Sequence, residues 1–142
     1  LSVGPLVGTT AVFGASGRTT TESGISDTDR IGALLGRWKD GIVAADAAIL
    51  MAAYSENFAH KGGDYGAKDK TGLREFIEAA IAQGRFDEVE LYMDDMAIAI
   101  RDDTGTVYPI EFTNREGTVT IELGLTRERT GWLITDMLIE GM

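Results

Sequence analysis

The hydrophobic period of the chain changes at Gly84. Before it apolar residues recur every three or four positions, and beyond it they alternate with polar ones. From Asp27 to about Phe58, the residues Ile31, Leu35, Trp38, Ile42, Ala45, Ile49 and Ala53 fall on one helical face, widened by Leu34, Leu50 and Tyr54. Asp27 or Thr28 is placed to cap this helix, with Asp29 favourably set against the positive end of its dipole. Gly32, Gly36 and Gly41 each weaken a helix by up to about 1 kcal/mol relative to Ala, so a break into two helices near Gly41 or Asp46 is compatible with the pattern. The Gly-rich polar stretch AHKGGDYGAKDK at 59–70 reads as a loop or short irregular hairpin. A second helix follows, with Thr71 at its cap, Leu73, Phe76, Ile77, Ala80 and Ile81 on one face, and Gly84 as its stop.

After Gly84, Val89, Leu91 and Met93 alternate with polar residues, and Met96, Ile98 and Ile100 continue one step out of phase across Asp94-Asp95. That slip predicts a β-bulge, which bends and twists a strand. Strands are expected from about Thr106 to Asn114, from about Val119 to Thr126, and over Trp132–Glu140, with turns at Asp102–Gly105, Arg115–Gly117 and Thr130–Gly131. Four strands in meander order imply an antiparallel sheet, with the helices gathered before it covering one face. The fold class is α+β, a bent antiparallel sheet with N-terminal helices packed on its concave face. Leu35, Trp38, Ile42 and Ile49 are expected to pack against Val119, Ile121 and Leu123.

At 142 residues and 44% apolar composition, one domain is expected, spanning 25–142. Residues 1–24 are dominated by Gly, Ser and Thr without apolar spacing, and are expected to be a flexible tail or leader remnant. Val12-Phe13-Gly14 before Ala15 resembles the small-residue end of a secretory signal, which would make the protein periplasmic or secreted; a plain tail would leave it cytoplasmic. No stretch supplies the ~20 apolar residues of a membrane span. The net charge of −10 is the wrong sign for a phosphate-neutralising surface, so nucleic acid is not an expected partner.

The order Trp38-Lys39, Asp46, Leu50, Tyr54-Ser55, Phe58, then Gly62-Gly63, Gly72-Leu73 and Phe76, and a curved meander ending in Gly131-Trp132-Leu133-Ile134, resembles the NTF2-like superfamily, including its SnoaL-like and steroid delta-isomerase-like branches. The resemblance covers roughly residues 27–140 and implies a pocket between helices and bent sheet, and a homodimer paired through the uncovered sheet face. It bears on fold more than function, because one scaffold can carry many activities. Aligned with the steroid isomerases through Asp46, the place of their oxyanion-donating Tyr falls on Trp38, that of their general-base Asp on Gly62, and that of their second, protonated Asp near Gly124. The carboxylate and the donors that hold a developing enolate are thus missing from those places.

The candidate ligand-binding residues are Trp38, Tyr54, Phe58, His60, Tyr65, Tyr92, Asp95, Tyr108 and Trp132. Aromatic walls with a few hydroxyl groups are the usual make-up of a small-molecule pocket, while packing in the core is the plainer use of Phe58 and Trp132. Trp38 and Tyr54 are expected above the bent sheet, Tyr92 and Asp95 below them beside the bulge, and His60 and Tyr65 at the rim. Such a pocket suits a small apolar or amphipathic ligand, or the domain serves as an assembly module. The alternative is a SnoaL-like or dehydratase-type enzyme in which His60, the one His of the chain, and Asp64 perform acid–base chemistry. With a single His and no Cys, a zinc or iron site would rest on carboxylates, and Asp102–Gly105 lacks the longer ligand pattern of a calcium loop. Gly62-Gly63-Asp64-Tyr65-Gly66 lacks the preceding strand and the Lys-Ser/Thr of a phosphate loop. No metal or other cofactor is expected.

Overall fold

Ser26, rather than Asp27 or Thr28, caps the first helix: its Oγ accepts from the Asp29 N–H at 3.1 Å and its carbonyl from the Arg30 N–H at 3.0 Å. The structure is a computed structural model and describes residues 26–59 and 69–141. The expected tail over 1–24, and with it His60, Asp64 and Tyr65 of the central loop, lie outside the described residues. Two compact units divide the chain, the first ending at Gly32 and the second running from Ala33 to Met142.

Helix α1 (Asp27–Ala44) ends in a Schellman motif. The Gly41 carbonyl accepts from Asp46 N–H at 2.9 Å and the Ile42 carbonyl from Ala45 N–H at 3.1 Å, with Ala45 at φ 52°. Asp46 then caps α2 (Ala47–Ala52), accepting from the Ala48 and Ile49 N–H groups at 2.9 and 3.1 Å. This corner resets the helical phase. Leu35, Trp38 and Ile42 are buried as expected, and Leu50 with them, but Ile49 is 40% exposed. The expectation that Ile49 packs on the sheet is therefore corrected: the unbroken spacing of three and four residues that carried it does not survive the corner.

Gly41 permits that corner, since a Cβ there would stand 2.9 Å from both the backbone nitrogen and Cγ of Leu50. Asp69, not Thr71, caps α3 (Lys70–Ala82), with its Oδ1 accepting from Gly72 N–H at 2.8 Å. The helix closes in a second Schellman motif at Gly84, whose φ of 76° suits glycine. There the Gly84 N–H donates to Ile81 O at 3.0 Å and the Arg85 N–H to Ala80 O at 2.9 Å.

The sheet is antiparallel, with five strands: β1 (Glu90–Tyr92), β2 (Ala97–Arg101), β3 (Thr104–Asn114), β4 (Gly117–Glu128) and β5 (Gly131–Glu140). β3 pairs along one edge with β1 and then β2, and along the other with β4, which pairs with β5. The stretch expected as one bulged strand is two strands. A turn at Asp94-Asp95 joins them, closed by Met96 N–H donating to Met93 O at 3.2 Å. Since Tyr92 faces Glu111 and Ala97 faces Tyr108, residues 93–96 stand against only Pro109 and Ile110.

Register shifts also fall between Val107 and Ile110 on β3, and between Gly124 and Leu125 on β4. Extra residues at such places bend a sheet and increase its twist, and this sheet is curved and unclosed. Val107, Ile110, Ile121, Leu123, Leu125, Ile134 and Met137 make its buried inner face, on which the helices lie. The segment after α2 is stitched to β5: Ile134 N–H donates to Ala53 O and Ser55 N–H to Ile134 O, both at 2.9 Å. Among the described residues no helix is long and apolar enough to cross a membrane.

Candidate functional site

Between the helices and the inner sheet face of the Ala33–Met142 unit lies a cavity of about 420 Å³, within the size range of small-molecule sites. Trp38, Ile42, Leu50 and Tyr54 line it from the first two helices, and Phe76, Ile77 and Ala80 from α3. From the sheet come Phe112, Val119, Ile121, Met137 and Ile139.

The deep part is organised around one buried hydroxyl. Trp38 Nε1–H donates to Tyr54 Oη at 3.0 Å, and Tyr54 O–H donates to Met137 Sδ at 3.5 Å. Burial pushes the Tyr54 phenol well above the usual tyrosine range, against the opposing pull of the Trp38 hydrogen bond. Tyr54 is thus neutral throughout the physiological range and internally satisfied, a structural anchor of the wall rather than a ready acid.

The other part is polar. The turn after α3 and the β3–β4 hairpin meet there, held by Asn114 Nδ2 donating to Arg85 O at 2.8 Å and by Phe86 set edge-on to Phe112 with centroids 5.8 Å apart. Arg85, Asn114, Glu116, Gly117 and Thr118 line this end, and the last three are exposed, so the cavity opens to solvent beside them. The level of Met137 on β4 is that of Leu123. Thr118 and Leu123 are five residue steps apart, so the polar mouth and the apolar floor are about 17 Å apart along β4 at ~3.3 Å per residue.

No family model matches the chain, and no curated protein does. Solved structures do. A protein of unknown function with a cystatin-like fold from Nostoc punctiforme superposes with a TM-score of 0.64 at 20% identity, covering 82% of this chain and 92% of its own. A proposed dehydratase of the NTF2-like family from Streptomyces avermitilis gives 0.67 at 9% identity, covering 82% and 96%. A proposed calcium/calmodulin dependent protein kinase II association domain from Xanthomonas campestris gives 0.61 at 10%, covering 87% and 93%. The fold is NTF2-like.

Within that NTF2-like frame the expected site residues separate. Trp38 and Tyr54 line the cavity together. Phe58 is buried behind Tyr54, edge-on with centroids 5.5 Å apart, and Trp132 is buried with the Arg127 guanidinium over its ring at 5.6 Å; neither is among the lining residues. Tyr92, Asp95 and Tyr108 do not converge on the cavity. Tyr92 is 52% and Tyr108 43% exposed, and Asp95 sits exposed in the turn between β1 and β2. The reason is the pleat: Leu91 faces Phe112 on the inner side, so Tyr92 beside it points outward with Glu111. Tyr108 lies between the inward Val107 and Ile110 and takes the outer face opposite Ala97.

Sequence reasoning missed Arg85, Asn114 and Phe112. Phe112 alternates with Ile110 and was open to detection by period alone; Arg85 and Asn114 flank turns and carry no periodic signal. Among the described residues no group of three or more His, Cys, Asp or Glu is placed to hold a metal.

Proposed function

We propose that this protein binds a small apolar or amphipathic molecule in the cavity between its helices and sheet. The observation that carries the reading is the cavity itself: it has the volume of a ligand site, a largely aromatic and aliphatic lining, and charged side chains confined to its mouth. The ionisable side chains among the described lining residues are Tyr54, Arg85 and Glu116, a set better suited to orienting a ligand than to shuttling a proton near neutrality. The uncharged dye Nile red tests the reading: its emission should rise and saturate with the wild-type protein. Val119→Trp, which fills the cavity from β4, should weaken this binding at least about ten-fold while the melting curve stays cooperative. Equal binding by the two proteins would overturn the proposal.

A competing reading is a SnoaL-like or dehydratase-type enzyme with His60 and Asp64 in acid–base roles, favoured by the dehydratase among the structural neighbours. It differs in outcome, since His60→Ala would then abolish turnover and retain binding. We further propose self-association as a homodimer through the outer sheet face, supported by the association-domain neighbour and by the exposed Tyr92 and Tyr108 on that face.

A further inference from the structure

Arg85 is the cation of the cavity, and nothing in the described structure answers it. Its backbone is fixed at both ends, the N–H by the Schellman bond to Ala80 O and the carbonyl by Asn114 Nδ2. The residue lines the cavity. Yet the Nε atom is shut away from solvent without a hydrogen-bond partner among the described residues. An arginine cannot escape by losing its proton, so a buried donor of this kind stays charged and unsatisfied until an acceptor arrives. The backbone around it is already committed, and the cavity that Arg85 lines is the space from which an acceptor could come.

We propose that the ligand of this cavity is an amphipathic carboxylic acid, its carboxylate paired with Arg85 at the mouth and its apolar body running along β4 toward Trp38 and Tyr54. This rests on the ligand-binding reading above. The Nε–H and an Nη–H on one edge of a guanidinium present two parallel donors matched to the two oxygens of a carboxylate. No described residue bonds the Nε, so a rotation of the side chain would bring that edge to a ligand in the cavity. A monoanion is favoured over a phosphate dianion because one cation stands there, because Glu116 shares the mouth, and because the whole chain carries a net charge of −10. Phe86, Phe112 and Val119 supply apolar wall between the mouth and the floor.

Decanoate and 1-decanol test this at neutral pH, since they share a tail and differ in the head group. Each is titrated against the Nile red complex of the full chain. Wild-type protein should bind the acid at least about ten-fold more tightly than the alcohol, the range expected of a hydrogen-bonded charge pair. In Arg85→Gln the ratio should fall to about one. A wild-type ratio near one, with both compounds displacing the dye, overturns the carboxylate assignment and leaves the cavity reading standing; that measurement does not depend on how the variant folds. An unchanged preference in a folded Arg85→Gln also overturns it. If neither compound nor the dye binds, the ligand-binding reading fails and the assignment fails with it.

Discussion

Tyr54 joins three parts of the structure through one oxygen, and its ionisation gives a direct reading of how closed that environment is. Folding raises its pKa above the ordinary tyrosine value, chiefly because burial penalises the phenolate. Above about pH 10 the folded chain holds a proton that the unfolded chain has released. The stabilisation is therefore complete below the unfolded pKa and is lost as pH rises, with a slope approaching about 1.4 kcal/mol per pH unit for a single group. Denaturant unfolding on the alkaline side should show this decline, and Tyr54→Phe should remove most of it. The variant should also lose about 1–3 kcal/mol at neutral pH, because the buried Trp38 N–H is left without its acceptor. Tyr92 is raised as well, by its hydrogen bond to Glu90, but it is exposed, and moderate salt screens that contribution. An alkaline slope identical in wild type and Tyr54→Phe would contradict the account.

At the level of elements, the most informative join is the corner between α1 and α2. Ala45 occupies the left-handed position of the α1 stop, where a Cβ is unfavourable and glycine is the usual choice. Ala45→Gly should stabilise the protein by up to about 1 kcal/mol, a rise of a few degrees in melting temperature for a domain of this size; a fall would show that the corner is held by something other than its dihedral angles. The absent glycine is also why the corner was hard to see. Asp46 carried a cap signal, but the apolar spacing ran straight through it to Ile49, and periodicity alone treats a stripe across two helices as one. The three helical glycines looked alike in sequence, yet nothing approaches a Cβ at Gly36 within 4 Å, whereas Gly41 sits against the Leu50 backbone.

β4 was legible because it alternates cleanly from Val119 to Leu125, while β3 and β5, whose inward residues slip phase between Val107 and Ile110 and between Ile134 and Met137, were legible from the turns that bound them. The β1–β2 stretch was not, because a phase slip of one step has the same sequence appearance in a bulge and in a tight turn. The cavity was half legible for a related reason. Trp38 and Tyr54 follow from the helical face. The mouth is assembled from residues beside a helix stop and a hairpin turn, whose meeting is a tertiary fact without a local pattern.

On the scale of the whole molecule, the proposed homodimer would rest on the outer sheet face. Tyr92, Ala97, Ala99 and Tyr108 are exposed there, interleaved with Glu90, Glu111, Arg101 and a run of threonines. In the proposed dimer that mixture would make a wet interface rather than a buried core, and its aromatic residues are the kind that anchor such contacts. Each protomer brings a net charge of −10, so bringing two together is opposed by repulsion that salt reduces. The dimer is thus expected to strengthen with ionic strength, the reverse of an interface built on opposite charges. Sedimentation velocity at micromolar protein should show a larger dimer fraction at about 300 mM salt, where the Debye length is roughly 6 Å, than at about 20 mM, where it exceeds 20 Å. Tyr108→Glu removes an aromatic anchor and adds a charge to the same face, and should raise the dissociation constant at least ten-fold, about 1.4 kcal/mol. Because Tyr108 is exposed in the protomer, the melting temperature of the separated chain should change little. A monomer at every salt concentration, or a dimer indifferent to Tyr108→Glu, would place any assembly on a different surface.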